Sequence, residues 1–111
     1  MFDKEIVEKA KKENVEVYYG EIRFADKAGA AHSAAFLFRK PLVADIEVYQ
    51  RTAQKSPYVS NENLLRSLIV HPQVDEVMVQ VRDFPIAVDS FVGSEIVPFF
   101  GASVQTASQK V

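Results

Sequence analysis

The stretch Val15-Glu16-Val17-Tyr18-Tyr19-Gly20-Glu21-Ile22-Arg23-Phe24 decides the fold. Val15, Val17 and Tyr19 alternate with Glu16 and Tyr18; beyond Gly20, Ile22 and Phe24 alternate with Glu21 and Arg23. A period of two in β-branched and aromatic residues marks a strand. Gly20 stands where the two sets fall out of step, which predicts a bulge or kink there. Residues 25–30, Ala-Asp-Lys-Ala-Gly-Ala, carry the Asp and Gly of a turn. Ala34, Phe36 and Phe38 then alternate with Ala35, Leu37 and Arg39. Two such runs joined by a short loop predict an antiparallel hairpin. An isolated hairpin is marginal in water, so one face must pack on the rest of the chain.

Downstream the period lengthens. Pro41 has no N–H to lose and fits the first turn of a helix. Leu42, Ile46, Tyr49 and Ala53 then trace an amphipathic stripe that ends near Lys55. Lys55-Ser56-Pro57 breaks it, and Ser56 or Ser60 can cap a second helix with the stripe Leu64, Leu65, Leu68 and Ile69. His71-Pro72 ends that helix, because the residue before proline avoids the α region; His71 is thereby placed at a helix C-terminus. Val74, Val77, Met78 and Val81 form a third stripe, stopped by Asp83-Phe84-Pro85. Val88, Phe91, Val92 and Ile96 form a fourth, interrupted by Pro98 and ended by Gly101. Strands first and helices after argue an α+β fold. The expected architecture is an N-terminal antiparallel β-hairpin packed on a C-terminal cluster of short α-helices, about four of them on this pattern.

Residues 1–14 are dense in charge, with Phe2, Ile6, Val7 and Ala10 as a thin apolar stripe. They read as a charged helical arm, acidic residues leading and lysines following as the helix dipole prefers. Residues 15–101 make a single α+β domain. Residues 102–111, rich in Ser, Thr and Gln without a period, read as a disordered polar tail. A length of 111 residues suits one domain, and 48% hydrophobic with 25% charged residues is a globular composition.

The same composition narrows the chemistry. A net charge of −2 offers no basic face for a phosphate backbone, so nucleic acid is not an expected partner. There is no cysteine, hence no disulfide, thiolate nucleophile or cysteine-based metal site. The start is charged where a signal peptide is apolar, and no run approaches about 18 apolar residues. The expectation is a cytoplasmic protein without a membrane partner.

No catalytic, cofactor or metal residue is assigned. His32 and His71 lack ligand spacing, and HExxH is absent. His32 reads as a surface strand residue and His71 as a base at the negative end of a helix. Asp45 with Glu47, and Asp75 with Glu76, do not share a helix face and read as solvated positions. Four glycines, at 20, 29, 93 and 101, build neither GxGxxG nor a P-loop. Arg39 and Lys40 of Phe38-Arg39-Lys40-Pro41 can meet a phosphate or acidic partner, but read more simply as solvated residues at an element boundary. The helical half, by contrast, has more apolar residues than one small core absorbs. Phe99 and Phe100 point about 100° apart on a helix, so one core hardly buries both. An exposed apolar patch marks a partner or oligomer interface.

Phe38-Arg39-Lys40-Pro41, Ala44-Asp45-Ile46-Glu47-Val48-Tyr49, Lys55-Ser56-Pro57 and Asn63-Leu64-Leu65, in that order, resemble the small tail assembly chaperones of tailed bacteriophages. The likeness runs over residues 15–101 and is one of layout, without invariant motifs. Pro98, where that family continues its helix, and the charged N-terminal arm depart from it. The resemblance implies a non-enzymatic chaperone without cofactors, acting in the cytoplasm of a bacterial host. Its partners would be the apolar tape measure protein and, through a longer frameshifted form, the tail tube protein. A groove on the helices would receive the tape measure protein; no binding motif carries over from the family, and apolar character alone points to Tyr49, Leu65, Phe84, Phe91, Phe99 and Phe100. The alternative is a structural virion component or small homo-oligomeric adaptor that buries the same surface; a ligand-binding protein or enzyme has less support.

Overall fold

Strand β1 (Val17–Ala25) pairs with β2 (Ala31–Arg39) in one unbroken antiparallel register, from Val17 opposite Arg39 to Ala25 opposite Ala31. This computed structural model describes residues 2–14 and 16–101; the tail at 102–111 lies outside the described residues. The hairpin turn is built as its sequence suggests. The Asp26 carboxylate accepts the N–H groups of Ala28 and Ala30 at 2.9 and 3.0 Å, and Gly29 supplies a φ of +85°.

The predicted bulge at Gly20 is absent. Tyr18, Gly20, Ile22 and Phe24 form one continuous face, and Val17 and Tyr19 belong to the other, so the alternation never falls out of step. Gly20 answers a packing demand instead. A Cβ built on it lies 2.7 Å from Cε2 of Phe36 and 3.1 Å from Cδ1 of Phe38. The two rings occupy the space a side chain would need.

Helix α1 (Lys4–Glu13) lies at the sheet face opposite the main core, where the Phe2 ring sits 6.0 Å from Tyr19 and 5.3 Å from His71. Ala10 and Leu37 are buried on this side. Helix α2 (Val43–Ala53) starts later than expected: Leu42 is its N-cap, and Pro41 is buried ahead of it rather than in its first turn. Helix α3 (Pro57–Leu68) starts at one of its two expected caps, with Ser56 as N-cap and Pro57 at the first position, where its missing N–H costs nothing. α2 contributes no fully buried residue and leans on α3, to which the buried Ser60 hydroxyl ties it by donating to the Tyr49 carbonyl at 2.5 Å.

A short strand β3 (Ile69–His71) follows α3 directly, so His71 is not at a helix terminus. It pairs antiparallel to β2, with Phe38 opposite Ile69 and Leu37 opposite His71, and the register slips between them. The sheet order is therefore β1-β2-β3, with β1 at an edge. Helix α4 (Val74–Val81) and helix α5 (Pro85–Phe91) occupy their expected places. After α5 the chain widens into a π turn over Val92–Ile96 and tightens into a 3₁₀ turn over Val97–Phe100. Pro98 explains the change: it offers no N–H to the preceding turn and its ring crowds that turn's carbonyls.

The fold is α+β, with a three-stranded antiparallel sheet rather than a bare hairpin. Its core lies between the inner sheet face, carrying Ile22, Ala34, Phe36 and Phe38, and the apolar faces of α3, α4 and α5. None of the described helices is long and apolar enough to cross a membrane.

Candidate functional site

α5 runs beside the outer edge of β1 and in the opposite direction. Phe84, just before α5, stacks at 4.4 Å on Phe24; Phe91, at its end, meets Phe36 at 5.3 Å and Phe38 at 6.0 Å; Phe99 meets Tyr18 at 4.9 Å. Between this helix and the strand edge lies an open groove of about 990 Å³. On one side it is lined by every residue from Tyr19 to Lys27, on the other by Phe84 and by Ala87, Ser90 and Phe91 of α5. Successive strand residues point to opposite faces. A groove that touches all of them therefore runs along the backbone edge of β1.

The hydrogen-bond pattern fixes what that edge presents. Lys40 N–H donates to the Glu16 carbonyl and Asp26 N–H to the Ala30 carbonyl, both at 3.0 Å, so the even-numbered residues of β1 face β2. The N–H and C=O groups of Tyr19, Glu21 and Arg23 consequently point away from β2, towards the groove. No second strand meets them among the described residues.

The rim is charged. Arg23 pairs with Glu21, and Tyr19 donates its hydroxyl proton to Glu21 at 2.9 Å. These two bonds hold the Glu21 carboxyl below its usual range, while the bond to Glu21 pushes the Tyr19 phenol up. Asp26 meets Nε2 of His32 at 2.8 Å, which together with its backbone donors lowers its carboxyl. His32 is an exposed residue of β2, as the sequence suggested, and its ring stacks on Phe24 at 5.2 Å with planes 10° apart. His71 sits by Phe2 on the other sheet face, so the two histidines do not converge. Among the described residues no three His, Asp or Glu side chains form a metal-binding group.

Arg39 differs from the sequence reading, while Lys40 stays exposed at the boundary after β2. Arg39 forms a two-pronged pair with Asp45 at 2.8 and 3.0 Å, and Lys40 lies 3.9 Å from Glu16. Asp45 is thereby removed from the solvated positions; Asp75 pairs with Arg66 at 2.8 Å.

The six aromatic and apolar candidates scatter. Phe84 and Phe91 line the groove. Tyr49 faces a much smaller cleft of about 150 Å³ with Ser60 and Leu64. Leu65 is wholly buried in the core. Phe99 packs on Tyr18 and Phe38, whereas Phe100 keeps 36% of its surface exposed. Sequence reasoning missed Ile22, Phe24 and Phe38 as groove residues. Their period-two pattern assigned them to a strand face but carried no information on what stands opposite.

The chain belongs to a family described as a domain of unknown function (DUF6848), whose model matches residues 9–109. No curated protein matches the chain. Among solved structures it is similar to the uncharacterised protein rbstp2171 from Bacillus stearothermophilus, with 28% identity and a TM-score of 0.66. The match covers 93% of this chain and 99% of that one.

Proposed function

We propose that this member of the DUF6848 family works by binding another polypeptide, as a non-enzymatic assembly chaperone of the kind tailed bacteriophages use for the apolar tape measure protein. The observation that carries the reading is the open groove of about 990 Å³, with Phe24, Phe84 and Phe91 in its apolar lining. Its size suits recognition of apolar side chains, and its Glu21, Arg23 and Asp26 are engaged in structural pairs rather than gathered around a reacting atom. The tail tube protein is a further partner on this reading, and the setting is the bacterial cytoplasm.

A second reading, a structural virion part or small oligomeric adaptor, draws on a different surface. Leu42, Val43 and Val48 of the α2 region are exposed together, at 55, 70 and 52%, which suits a permanent interface.

Co-expression with the tape measure protein of a phage or prophage that carries this gene, followed by affinity capture, tests the first reading. A soluble complex, weakened by Phe84→Asp, is the expected result. A tape measure protein that stays insoluble beside the folded chain overturns it. Presence of the chain in purified particles favours the structural part.

A further inference from the structure

We propose that the partner enters the groove as an extended strand that adds to β1, an amphipathic segment with apolar residues at alternate positions and basic residues at its two ends. The inference deepens the reading of the groove as a polypeptide-binding site and rests on it.

Backbone chemistry supplies the first argument. The outward N–H and C=O groups of Tyr19, Glu21 and Arg23 form a row of donors and acceptors at strand spacing, and strand addition to such an edge is a recurrent mode of peptide recognition. Over Tyr19–Ala25 a paired segment spans about 3.3 Å per residue, so the lining accepts a strand along most of β1.

Side-chain chemistry sets the pattern. One face of an added strand lies over Phe24, Phe84 and Phe91 and must be apolar. Its other face continues the side of the sheet that carries Tyr19, Glu21 and Arg23, and is polar. The ends are set by charge. Asp83 stands beside Phe84 at the Phe24 end of the groove, and Glu95 follows Phe91 towards the Tyr19 end. Both are exposed, and neither has an ion-pair partner among the described residues. Glu21 and Asp26 are already paired, and Lys27 is the lining's one cation without a partner among the described residues. Two unpaired acids against one lysine favour a basic segment. A second copy of the chain fits less well, because pairing β1 with β1 brings a second α5 to the same side of the sheet beside the first.

The probe is a nine-residue synthetic peptide with alternating valine and threonine and a lysine at each end, added to the full chain. Amide hydrogen exchange should slow at Tyr19, Glu21 and Arg23. N-methylation of one alternate set of the peptide's amides should abolish binding, while methylation of the other set should leave it. Asp83→Lys and Glu95→Lys should each weaken binding by up to about fivefold, the range of an exposed charge pair. Peptide binding without slowed exchange at those three amides overturns strand addition, as does indifference to both methylation patterns. Slowed exchange that instead rises with protein concentration alone, alongside a doubled mass, assigns the edge to a second copy and also overturns it. Capture of the tape measure protein with these amides unprotected removes strand addition but leaves the chaperone reading. Protection by the peptide without such capture does the reverse.

Discussion

Arg39, the last residue of β2, and Asp45, in the first turn of α2, hold each other by two parallel hydrogen bonds of 2.8 and 3.0 Å. Asp45 also accepts the Leu42 N–H at 2.7 Å, one of the donors that a helix start leaves unmatched. One carboxylate thus caps the helix and fastens it to the sheet. Replacing Arg39 by Ala strands a largely covered carboxylate, and the expected loss is about 1–2 kcal/mol in urea unfolding, between the values for exposed and buried pairs. Arg39→Lys should recover less than half of that loss, because lysine lacks the planar fork.

The same pair predicts an acid response. The Arg39 guanidinium holds the Asp45 carboxyl below its usual range, with the Leu42 N–H adding to the effect. A lowered folded-state value means that the unfolded chain takes up the proton first. This contribution is complete above the unfolded carboxylate value of about 3.9 and fades as pH falls through the lower folded value. Melting temperatures of the native chain and of Asp45→Asn should therefore differ most near neutral pH and converge towards pH 2. A constant difference across that range contradicts the assignment.

Gly20→Ala should destabilise by about 2 kcal/mol, within the range for overpacking a filled core. The added Cβ meets the Phe36 ring, which is fully buried, and crowds that of Phe38 as well. Phe36→Leu in the same background should recover part of the loss, a rescue that thermal unfolding of the double variant reads directly.

Adjacent aromatics at the end of the last described helical turn should behave differently. Phe99→Ala removes ring contacts with Tyr18 and Phe38 and should cost about 1–2 kcal/mol, less than a full core deletion because the ring is half-buried. Phe100→Ala should stay within about 0.5 kcal/mol, as exposed substitutions do. Paired denaturation curves of the two variants give the comparison.

The hairpin was legible because its alternation is local: each strand residue reports its own face. Which face is inner was not, since Tyr18 and Tyr19 are both aromatic and either can be placed inward. The structure resolves the choice through Gly20, whose empty side-chain position suits only the face that Phe36 and Phe38 crowd. β3 escaped notice because three residues are too few to show a period, and Ile69 also completes the helical stripe of Leu65 and Leu68. Prolines marked the breaks, but Pro41 lies ahead of α2 rather than in its first turn, whereas Pro57 opens α3 directly behind the Ser56 cap. Phe84 and Phe91 were legible as candidates from their apolar character alone. The groove between them and β1 was not, because a free strand edge is created by topology and leaves no local mark in a sequence.

The shallow seating of α2 gives the molecule an uneven thermodynamic grain. With no fully buried residue, α2 can lift from α3 at the cost of the Arg39–Asp45 pair, the Ser60–Tyr49 bond and the Tyr49 contact, whereas releasing β2 exposes the rings of Phe36 and Phe38 at the centre of the core. Exchange of α2 amides is then set by a local opening of low free energy, and exchange of β2 amides by unfolding of the whole. Insertions and loop extensions therefore meet less resistance at this helix than in β2, which makes it a place to attach a probe without disturbing the groove.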